Sequence, residues 1–266
     1  MIIISARKSF DNADVLGAAH KIKEIDLSND KEIRTIESEK KLISELSGKK
    51  VLILVHGYNN EQDEVYDAYS IIERKISKHL STTYDAIIGY SWPGGDNRLD
   101  WWAAKSRANS VARQFRFLLE MIGEKAVAID VMSHSLGARV VLKALKQSRK
   151  KPLLNHYYCT APAVDDEVFE DDEEFSNTTH KVTGLFVFHS KRDSVLARAY
   201  RVAEFDNALG LYGPEDRNYI EENTDNVFVV NCKKRIKKHG GYKGCNEMYR
   251  YMRSASSEQP KRFVTL

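Results

Sequence analysis

The sequence has little of several features that would define a function class. It contains only three cysteines among 266 residues, Cys159, Cys232 and Cys245. Their number is odd and no C-x-x-C pair is present, which argues against a disulfide framework. We therefore expect reduced thiols in a cytoplasmic protein.

Long hydrophobic runs are also missing. The longest purely aliphatic run, Val51 to Val55, is far shorter than the roughly 20 residues that span a bilayer. The first ten residues, MIIISARKSF, have no basic segment before their apolar run and no small-residue cleavage site. These features predict neither a signal peptide nor an integral membrane segment.

The charge balance and the glycine pattern exclude further classes. The net charge is only +3, and no zinc-ligand spacing or RNA-binding motif accompanies it. We therefore expect no nucleic-acid partner. The sequence contains neither G-x-G-x-x-G nor G-x-x-x-x-G-K-[ST], which argues against a nucleotide-binding α/β protein.

Apolar strand-like runs alternate with helix-like segments along the chain. This alternation predicts an α/β fold with a mostly parallel, doubly wound sheet flanked by helices. The runs are almost continuously apolar, as is typical of strands that are buried on both faces. The predicted strands are 51–55, 85–90, 127–132, 155–160, 185–189 and 227–231. The predicted helices are 63–80, 103–121, 136–148, 195–205 and 246–253.

We interpret residues 1–266 as a single domain with its core at about 50–255. Residues 1–49 form a charged N-terminal extension, for which we expect one or two helices or an extra strand. Two segments that interrupt the alternation, about 93–104 and 165–180, are candidate lids. The second begins with the acidic run 165–174, and a basic run follows at 233–238. Such runs are usually solvated faces or mobile loops, although these two could also pair with each other.

The segment AVAIDVMSHSLGARV, residues 126–140, has the layout of a nucleophile elbow. In such an elbow a strand leads into a sharp turn that exposes one serine hydroxyl, and a helix begins directly behind it. The strained turn needs small residues two positions before and after the serine, and Ser133 and Gly137 stand there around Ser135. The first of these positions usually holds glycine. Ser135 could alternatively be an ordinary turn or helix-capping serine.

Chemically reactive residues follow the late predicted strands in a specific order. Ser135 follows strand 127–132, Asp193 follows strand 185–189, and His239 follows strand 227–231 after a short basic loop. Serine, acid and histidine in this order match the α/β-hydrolase catalytic triad. A serine hydroxyl needs a base to take its proton, and an acid must hold the tautomer of that histidine. Asp193 could instead cap the next helix, and Asp165 and Asp166 are the alternative acids.

The attacked carbonyl becomes an oxyanion, which must be bound by preorganised N–H donors. One predicted donor is the amide of Leu136, directly after the nucleophile. The loop HGYNN, residues 56–60, follows the first central strand, and its Gly57 permits a tight backbone course. We therefore predict the amide of Tyr58 as the second donor, with a structural hydrogen-bonding role for His56.

Three tryptophans lie just after the predicted strand 85–90. Trp92, Trp101 and Trp102 could bind substrate by lining an apolar acyl pocket or a lid. They could equally well form the core on which the following helix packs.

Together, HGYNN at 56–60, YSWPGG at 90–95 and SHSLGARV at 133–140 resemble the α/β-hydrolase superfamily. More narrowly, they are similar to a bacterial group of unassigned function with HGYN, SWP and HSxG motifs. The resemblance covers residues 50–255. It implies an eight-stranded, mostly parallel sheet and a triad of Ser135, Asp193 and His239, with Tyr58 and Leu136 as oxyanion donors. It also implies hydrolysis of esters or related acyl bonds without a metal or organic cofactor.

The sequence therefore predicts a serine hydrolase that cleaves a carboxylic ester, with a lipid-like acyl ester as one option. Thioesters and amides are cleaved by the same constellation, and the sequence does not separate them. The partner is a small-molecule acyl substrate. The alternative is a catalytically silent binding or scaffold protein that retains the hydrolase fold.

Overall fold

The alternating segments fold into one sheet covered by helices. The computed structural model describes residues 1–97, 100–256 and 260–266. The strands are β1 (Ile2–Arg7), β2 (Leu16–Asp26), β3 (Lys31–Ile36), β4 (Lys50–Val55), β5 (Ala86–Ser91), β6 (Ala128–His134), β7 (Leu154–Thr160), β8 (Val182–His189), β9 (Val227–Asn231) and β10 (Phe263–Thr265).

The helices connect and flank these strands. They are α1 (Glu39–Glu45), α2 (Gln62–His79), α3 (Trp101–Gly123), α4 (Gly137–Gln147), α5 (Arg201–Glu204), α6 (Leu209–Tyr212), α7 (Arg217–Asn223) and α8 (Asn246–Ala255). A π-helix, Leu196–Tyr200, runs directly into α5, and 3₁₀ segments cover Ser176–Lys181 and His239–Gly244. No helix in the described part of the chain is long and apolar enough to cross a membrane.

The sheet has ten strands in the order β10-β9-β8-β7-β6-β4-β5-β1-β2-β3. The eight strands from β10 to β1 pair in parallel, and the β2–β3 hairpin continues the sheet in antiparallel pairing. The expected α/β fold with a mostly parallel sheet is confirmed.

The core lies on both faces of this sheet. Every residue from Val51 to Val55 in β4 is buried, and successive side chains of a strand point to opposite faces. Helix α3 packs against α4, and α2 packs against α8. An apolar stripe on α3, which includes Val111, Phe115 and Leu118, is completely buried. These residues have a packing role.

The N-terminal 49 residues differ from the expectation of one or two helices or an extra strand. They form three strands and α1, and β1 inserts into the sheet beside β5. In β3 only Ile36 is buried, because the strand lies at the edge of the sheet. Its charged residues therefore show little of the apolar periodicity that identifies a strand.

The strand order places the crevice of the sheet at β4. From β4 the chain passes to β5 on one side and then returns to β6 on the other. Ligands of open α/β sheets bind outside the carboxyl ends of the strands at such a switch point. The residues that directly follow β4 and β6 are therefore the first candidates for chemistry.

Candidate active site

Ser135 occupies a strained turn between β6 and α4. Its φ is +54°, in the left-handed region that residues other than glycine seldom adopt. The surrounding backbone holds it there. The Ser135 amide donates to Thr160 O at 3.0 Å, and its carbonyl accepts from the amides of Ala138 at 3.0 Å and Ala163 at 3.2 Å. Backbone strain that surrounding hydrogen bonds maintain in this way is typical of functional positions.

Close packing explains the small residues around Ser135. A Cβ atom on Gly137 would lie 2.3 Å from His56 O. Only glycine therefore allows the first residue of α4 to pack this closely against the end of β4. A Cβ atom on Gly57 would lie 3.0 Å from Ser135 Cβ. Ser133, where glycine is usual, is buried, and its Oγ lies 2.8 Å from the Tyr157 hydroxyl.

Asp193 and His239 form a hydrogen-bonded pair beside this turn. His239 Nδ1 lies 2.6 Å from Asp193 Oδ2, and Asp193 is completely buried. The other carboxylate oxygen, Oδ1, accepts from the amides of Val195 and Leu196, both at 3.1 Å. Asp193 therefore combines the two roles that the sequence left open, helix capping and contact with the histidine.

The alternative acids lie elsewhere. Asp165 accepts a hydrogen bond from the Tyr200 hydroxyl at 2.5 Å. Burial raises the pKa of Asp166 to about 7, which favours its protonated form. Neither Asp165 nor Asp166 lines the cavity at Ser135 described below. Asp166, Glu167 and Asp206 bring carboxylate oxygens within 4.8 Å of one another, and none of these three lines that cavity either.

His134, which occupies the variable position of the elbow, holds the backbone of His239. Its Nε2 lies 3.0 Å from the His239 carbonyl, and the two rings are 4.6 Å apart. A carbonyl only accepts, so Nε2 must carry the proton. Burial, followed by the nearby His239 ring, lowers the pKa of His134 to about 3. Sequence reasoning missed this contact because the motif treats the position as variable.

A cavity of about 380 Å³ opens at the Ser135 turn. Ser135 and His239 both line it, together with Tyr58 and Lys243. Among the described residues the Ser135 hydroxyl has no hydrogen-bond partner. Catalytic hydrogen bonds are often long without substrate and tighten only when it binds. The arrangement therefore allows a serine and an imidazole to act on one bound group.

The two predicted oxyanion donors stand at the ends of β4 and β6. Register pairs Val55 with Ser133, which places the loop that begins at His56 beside the elbow. Neither the Tyr58 amide nor the Leu136 amide donates to another described residue. The next amide of the loop, Asn59 N, donates to Gly94 O at 3.2 Å. Tyr58 lines the cavity, whereas Leu136 is completely buried and does not line it.

The tryptophans do not gather in this cavity. Trp92 is completely buried, stacks on His56 with ring centroids 5.6 Å apart, and donates from Nε1 to His56 O at 2.8 Å. Trp101 is half-buried, and Trp102 is 59 % exposed. None of the three lines the cavity. Trp92 therefore packs in the core of the fold and does not line an acyl pocket at this cavity.

His56 has the structural role that we expected. It is buried, its Nδ1 lies 2.8 Å from Gly57 O, and its Nε2 accepts from the Trp92 amide at 3.0 Å. Burial lowers the pKa of His56 well below its usual range. A neutral imidazole with its proton on Nδ1 satisfies both contacts.

Arg7 makes a supporting contact near the candidate site that sequence reasoning missed. It is completely buried in β1, and Nε donates to Trp92 O at 3.2 Å while Nη2 donates to Asn60 O at 3.0 Å. Burial lowers its pKa to about 10. One guanidinium therefore ties the HGYNN loop to the SWP loop. An arginine inside the apolar run IIISAR was the only available signal.

The candidate lids have different surroundings. Residues 98 and 99 of segment 93–104 lie outside the described residues, and Pro93 to Gly95 are buried. In segment 165–180, Phe175 is buried, and Glu174 pairs with Arg139 on α4 at 2.7 Å. This acidic segment is therefore packed on the fold in part, rather than fully solvated.

The basic run 233–238 is mostly exposed, with Ile236 buried. Its Arg235 lies 3.7 Å from Glu247 on α8. Within the described ranges, no ion pair joins this run to the acidic run 165–174. The three cysteines are free and buried.

The comparisons with solved structures give distant similarities. The chain resembles a protein from Xanthomonas campestris pv. campestris that is assigned to the alpha/beta hydrolase superfamily. The two share 9 % identity and a TM-score of 0.46, over 78 % of this chain and 99 % of that one.

Two larger enzymes also match. Phospholipase PlaB from Legionella pneumophila, in complex with thio-NAD, matches at 15 % identity and a TM-score of 0.35, over 70 % of this chain and 38 % of that one. Dipeptidyl peptidase 4 from Porphyromonas gingivalis matches at 12 % identity and a TM-score of 0.32, over 96 % and 37 %. No curated protein sequence matches significantly.

A family model covers most of the chain. Residues 33–242 match the family described as "Alpha/beta hydrolase of unknown function (DUF900)". This range contains the sheet from β4 to β9, the elbow, Asp193 and His239. The chain therefore belongs to this family of alpha/beta hydrolases.

Proposed function

We propose that the protein is a serine hydrolase that cleaves a carboxylic ester through an acyl-enzyme intermediate. The observation that carries this proposal is the 2.6 Å hydrogen bond between Asp193 and His239, a histidine that lines the same cavity as Ser135. A buried carboxylate on Nδ1 leaves Nε2 as the basic nitrogen. The strained, positive φ of Ser135 adds support, because nucleophile elbows hold their serine in this way.

In the first half of the reaction the Ser135 hydroxyl attacks the acyl carbon and gives its proton to His239 Nε2. The carbonyl oxygen becomes an oxyanion and receives hydrogen bonds from the amides of Tyr58 and Leu136. The tetrahedral intermediate then collapses. The bond to the alcohol oxygen breaks, and His239 returns the proton to that leaving group.

The second half repeats these steps with water. His239 takes a proton from water, the resulting hydroxide equivalent attacks the Ser135 ester, and the same amides bind the oxyanion. Collapse releases the carboxylic acid and restores the serine hydroxyl. Asp193 keeps its hydrogen bond to His239 Nδ1 and stabilises the imidazolium in both halves.

The cavity limits the substrate. At about 380 Å³ it lies at the small end of the usual range of ligand sites. Its wall combines the apolar Ala68 and Ile72 with Glu64, Asp67 and Lys243. A short acyl group with a polar leaving alcohol fits this lining, and a longer lipid-like chain would have to leave through the open side.

A fluorophosphonate probe tests the nucleophile directly. We expect the probe to label the wild type and Ser133→Ala but not Ser135→Ala. Ser133→Ala is a matched control, since the same change is made two residues away at a buried serine. Asp193→Asn should remain folded and lose about 10³–10⁴-fold in kcat on a p-nitrophenyl ester, because the amide favours the wrong imidazole tautomer.

Other results would change the assignment. Folded wild type that stays unlabelled would favour a binding or scaffold protein on the same fold. Labelling of Ser135→Ala would place the nucleophile elsewhere. A parallel series of p-nitrophenyl ester, thioester and anilide substrates with the same acyl group separates the three bond types by their kcat/KM values.

A further inference from the structure

The segment after Asp193 exposes apolar and basic side chains together. Phe205 is 92 % exposed, Val202 75 % and Val195 46 %. Exposed cations lie between these residues along the chain, in the turn before the π-helix and on the π-helix and α5. We call this set the 191–205 surface, and its members are Lys191, Arg192, Val195, Arg198, Arg201, Val202 and Phe205. Several large apolar side chains exposed within one short segment often mark an interaction site.

The charge of the 191–205 surface has one sign. Within residues 190–212, every exposed charged side chain is a lysine or an arginine. The acids of this segment are buried or half-buried. Asp193 is buried, and Glu204 accepts from Trp101 Nε1 and Lys105 Nζ, both at 2.5 Å. Asp206 is half-buried, and its carboxylate lies within 4.8 Å of those of Asp166 and Glu167. In the described part of the chain, the four cations make no ion pairs. The surface therefore complements an anionic partner.

An exposed tryptophan extends this surface. Trp102 is 59 % exposed, and Lys105 Nζ lies 5.3 Å from the centroid of its ring. The same Nζ contacts Glu204 of α5, so Trp102 stands next to the 191–205 surface. A tryptophan with one solvent-facing side is typical of a boundary between water and an apolar phase.

Trp101 connects this surface to the cavity. Its ring packs edge-on against Tyr58 and against Tyr200, with centroids 5.6 Å apart in both pairs. Tyr58 lines the cavity, and Tyr200 belongs to the π-helix. One aromatic side chain thus separates the exposed patch from the wall of the candidate active site.

We infer that the 191–205 surface with Trp102 binds the surface of an anionic phospholipid bilayer. Phe205, Val202 and Trp102 enter the headgroup region, while the cations contact lipid phosphates. Phe205 protrudes from the end of α5 at a left-handed φ of 59°, with almost no neighbours. A protruding ring of this kind enters a deformable lipid surface readily, whereas a protein partner would need a matching pocket.

Vesicle co-sedimentation tests this inference on the full chain. Two vesicle types are used, phosphatidylcholine alone and phosphatidylcholine mixed with phosphatidylglycerol. We expect the wild type to bind the mixed vesicles and to release them as salt rises. Arg198→Gln and Arg201→Gln should each weaken binding about fivefold. The double variant Val202→Ser with Phe205→Ser should weaken it at least about tenfold.

Two controls make the test specific. Val127→Ser changes a valine that is 64 % exposed just before β6, at the opposite end of the strand from the site. It should bind like the wild type. Ser135→Ala should also bind fully, because attachment requires no catalysis. Failure of the proposed hydrolysis and failure of membrane binding are therefore distinguishable.

Several outcomes would overturn the inference. They are a wild type that sediments with neither vesicle, equal binding to neutral vesicles, and undiminished binding of the Val202→Ser, Phe205→Ser variant. Circular dichroism and Tm verify that the double variant is folded. A wild type that ignores vesicles but forms a dimer, which this double variant dissociates, would assign the surface to a second copy of the chain.

Discussion

The residue before Ser135 is a partly buried histidine, and we predict that this residue makes the stability of the fold sensitive to acid. His134 donates from Nε2 to the His239 carbonyl, and burial followed by the His239 ring lowers its pKa to about 3. The perturbation that tests this is His134→Gln. Glutamine can place an N–H near the same carbonyl but carries no titrating group.

The sign and size follow from proton linkage. In the unfolded chain a histidine titrates near pH 6.5, so the unfolded state takes up the proton first as the pH falls. Stability from this group is complete above about pH 6.5 and is lost as the pH falls toward about 3. Between pH 7 and pH 5 the expected loss is about 2 kcal/mol for this one residue.

Urea unfolding at pH 7 and pH 5 provides the measurement. The wild type should lose about 2 kcal/mol more between the two pH values than His134→Gln does. His180→Gln, the same change at an exposed histidine, serves as the matched control. Equal losses for the wild type and His134→Gln would refute the reasoning, since His134 would then titrate alike in both states.

Three further changes test other contacts. Gly137→Ala should destabilise the fold by about 1–3 kcal/mol, since its Cβ would lie 2.3 Å from His56 O. The control Gly123→Ala, whose Cβ would have its nearest atom at 3.6 Å, should leave the stability unchanged. Equal Tm values for the two variants would contradict this prediction. Arg7→Met should lower the free energy of unfolding in urea by about 2–3 kcal/mol and should lower kcat, because two loop carbonyls lose their hydrogen-bond donor. An unchanged free energy of unfolding would contradict a stabilising role of Arg7. The pKa of Asp166 is raised to about 7 by burial, so its stabilising contribution falls as the pH rises from about 4 to 7. Asp166→Asn should therefore be more stable than the wild type at pH 8, and a lower stability of the variant there would contradict this.

The central strands could be predicted because their environment is uniform. Strands β4 to β9 are covered on both faces, so burial produces the nearly continuous apolar runs seen in the sequence. The N-terminal hairpin could not be found in this way. Its strands lie toward one edge of the sheet, where tertiary pairing rather than apolar patterning fixes the conformation.

The same distinction applies to the candidate site, where some features could be predicted from the sequence and others could not. Ser135, Asp193 and His239 could be located because parallel strands bring their carboxyl ends to one edge, and chain order then selects the loops. Sequence order, however, carries no information on where a side chain points. Trp92 follows a strand just as those residues do, yet it turns inward, stacks on His56 and donates a hydrogen bond to the HGYNN loop.

Arg7 shows why the supporting contacts remain hidden from sequence reasoning. It lies 85 residues before Trp92 and 53 before Asn60, and only the insertion of β1 beside β5 brings the three together. The candidate triad residues are recognisable because their proposed chemistry restricts residue type at a known position in the fold. A positioning contact restricts only geometry, and many residue types could supply it. The conformations of the loops that carry the Tyr58 and Leu136 amides are therefore determined by the assembled sheet. The sequence alone indicates only where these loops begin.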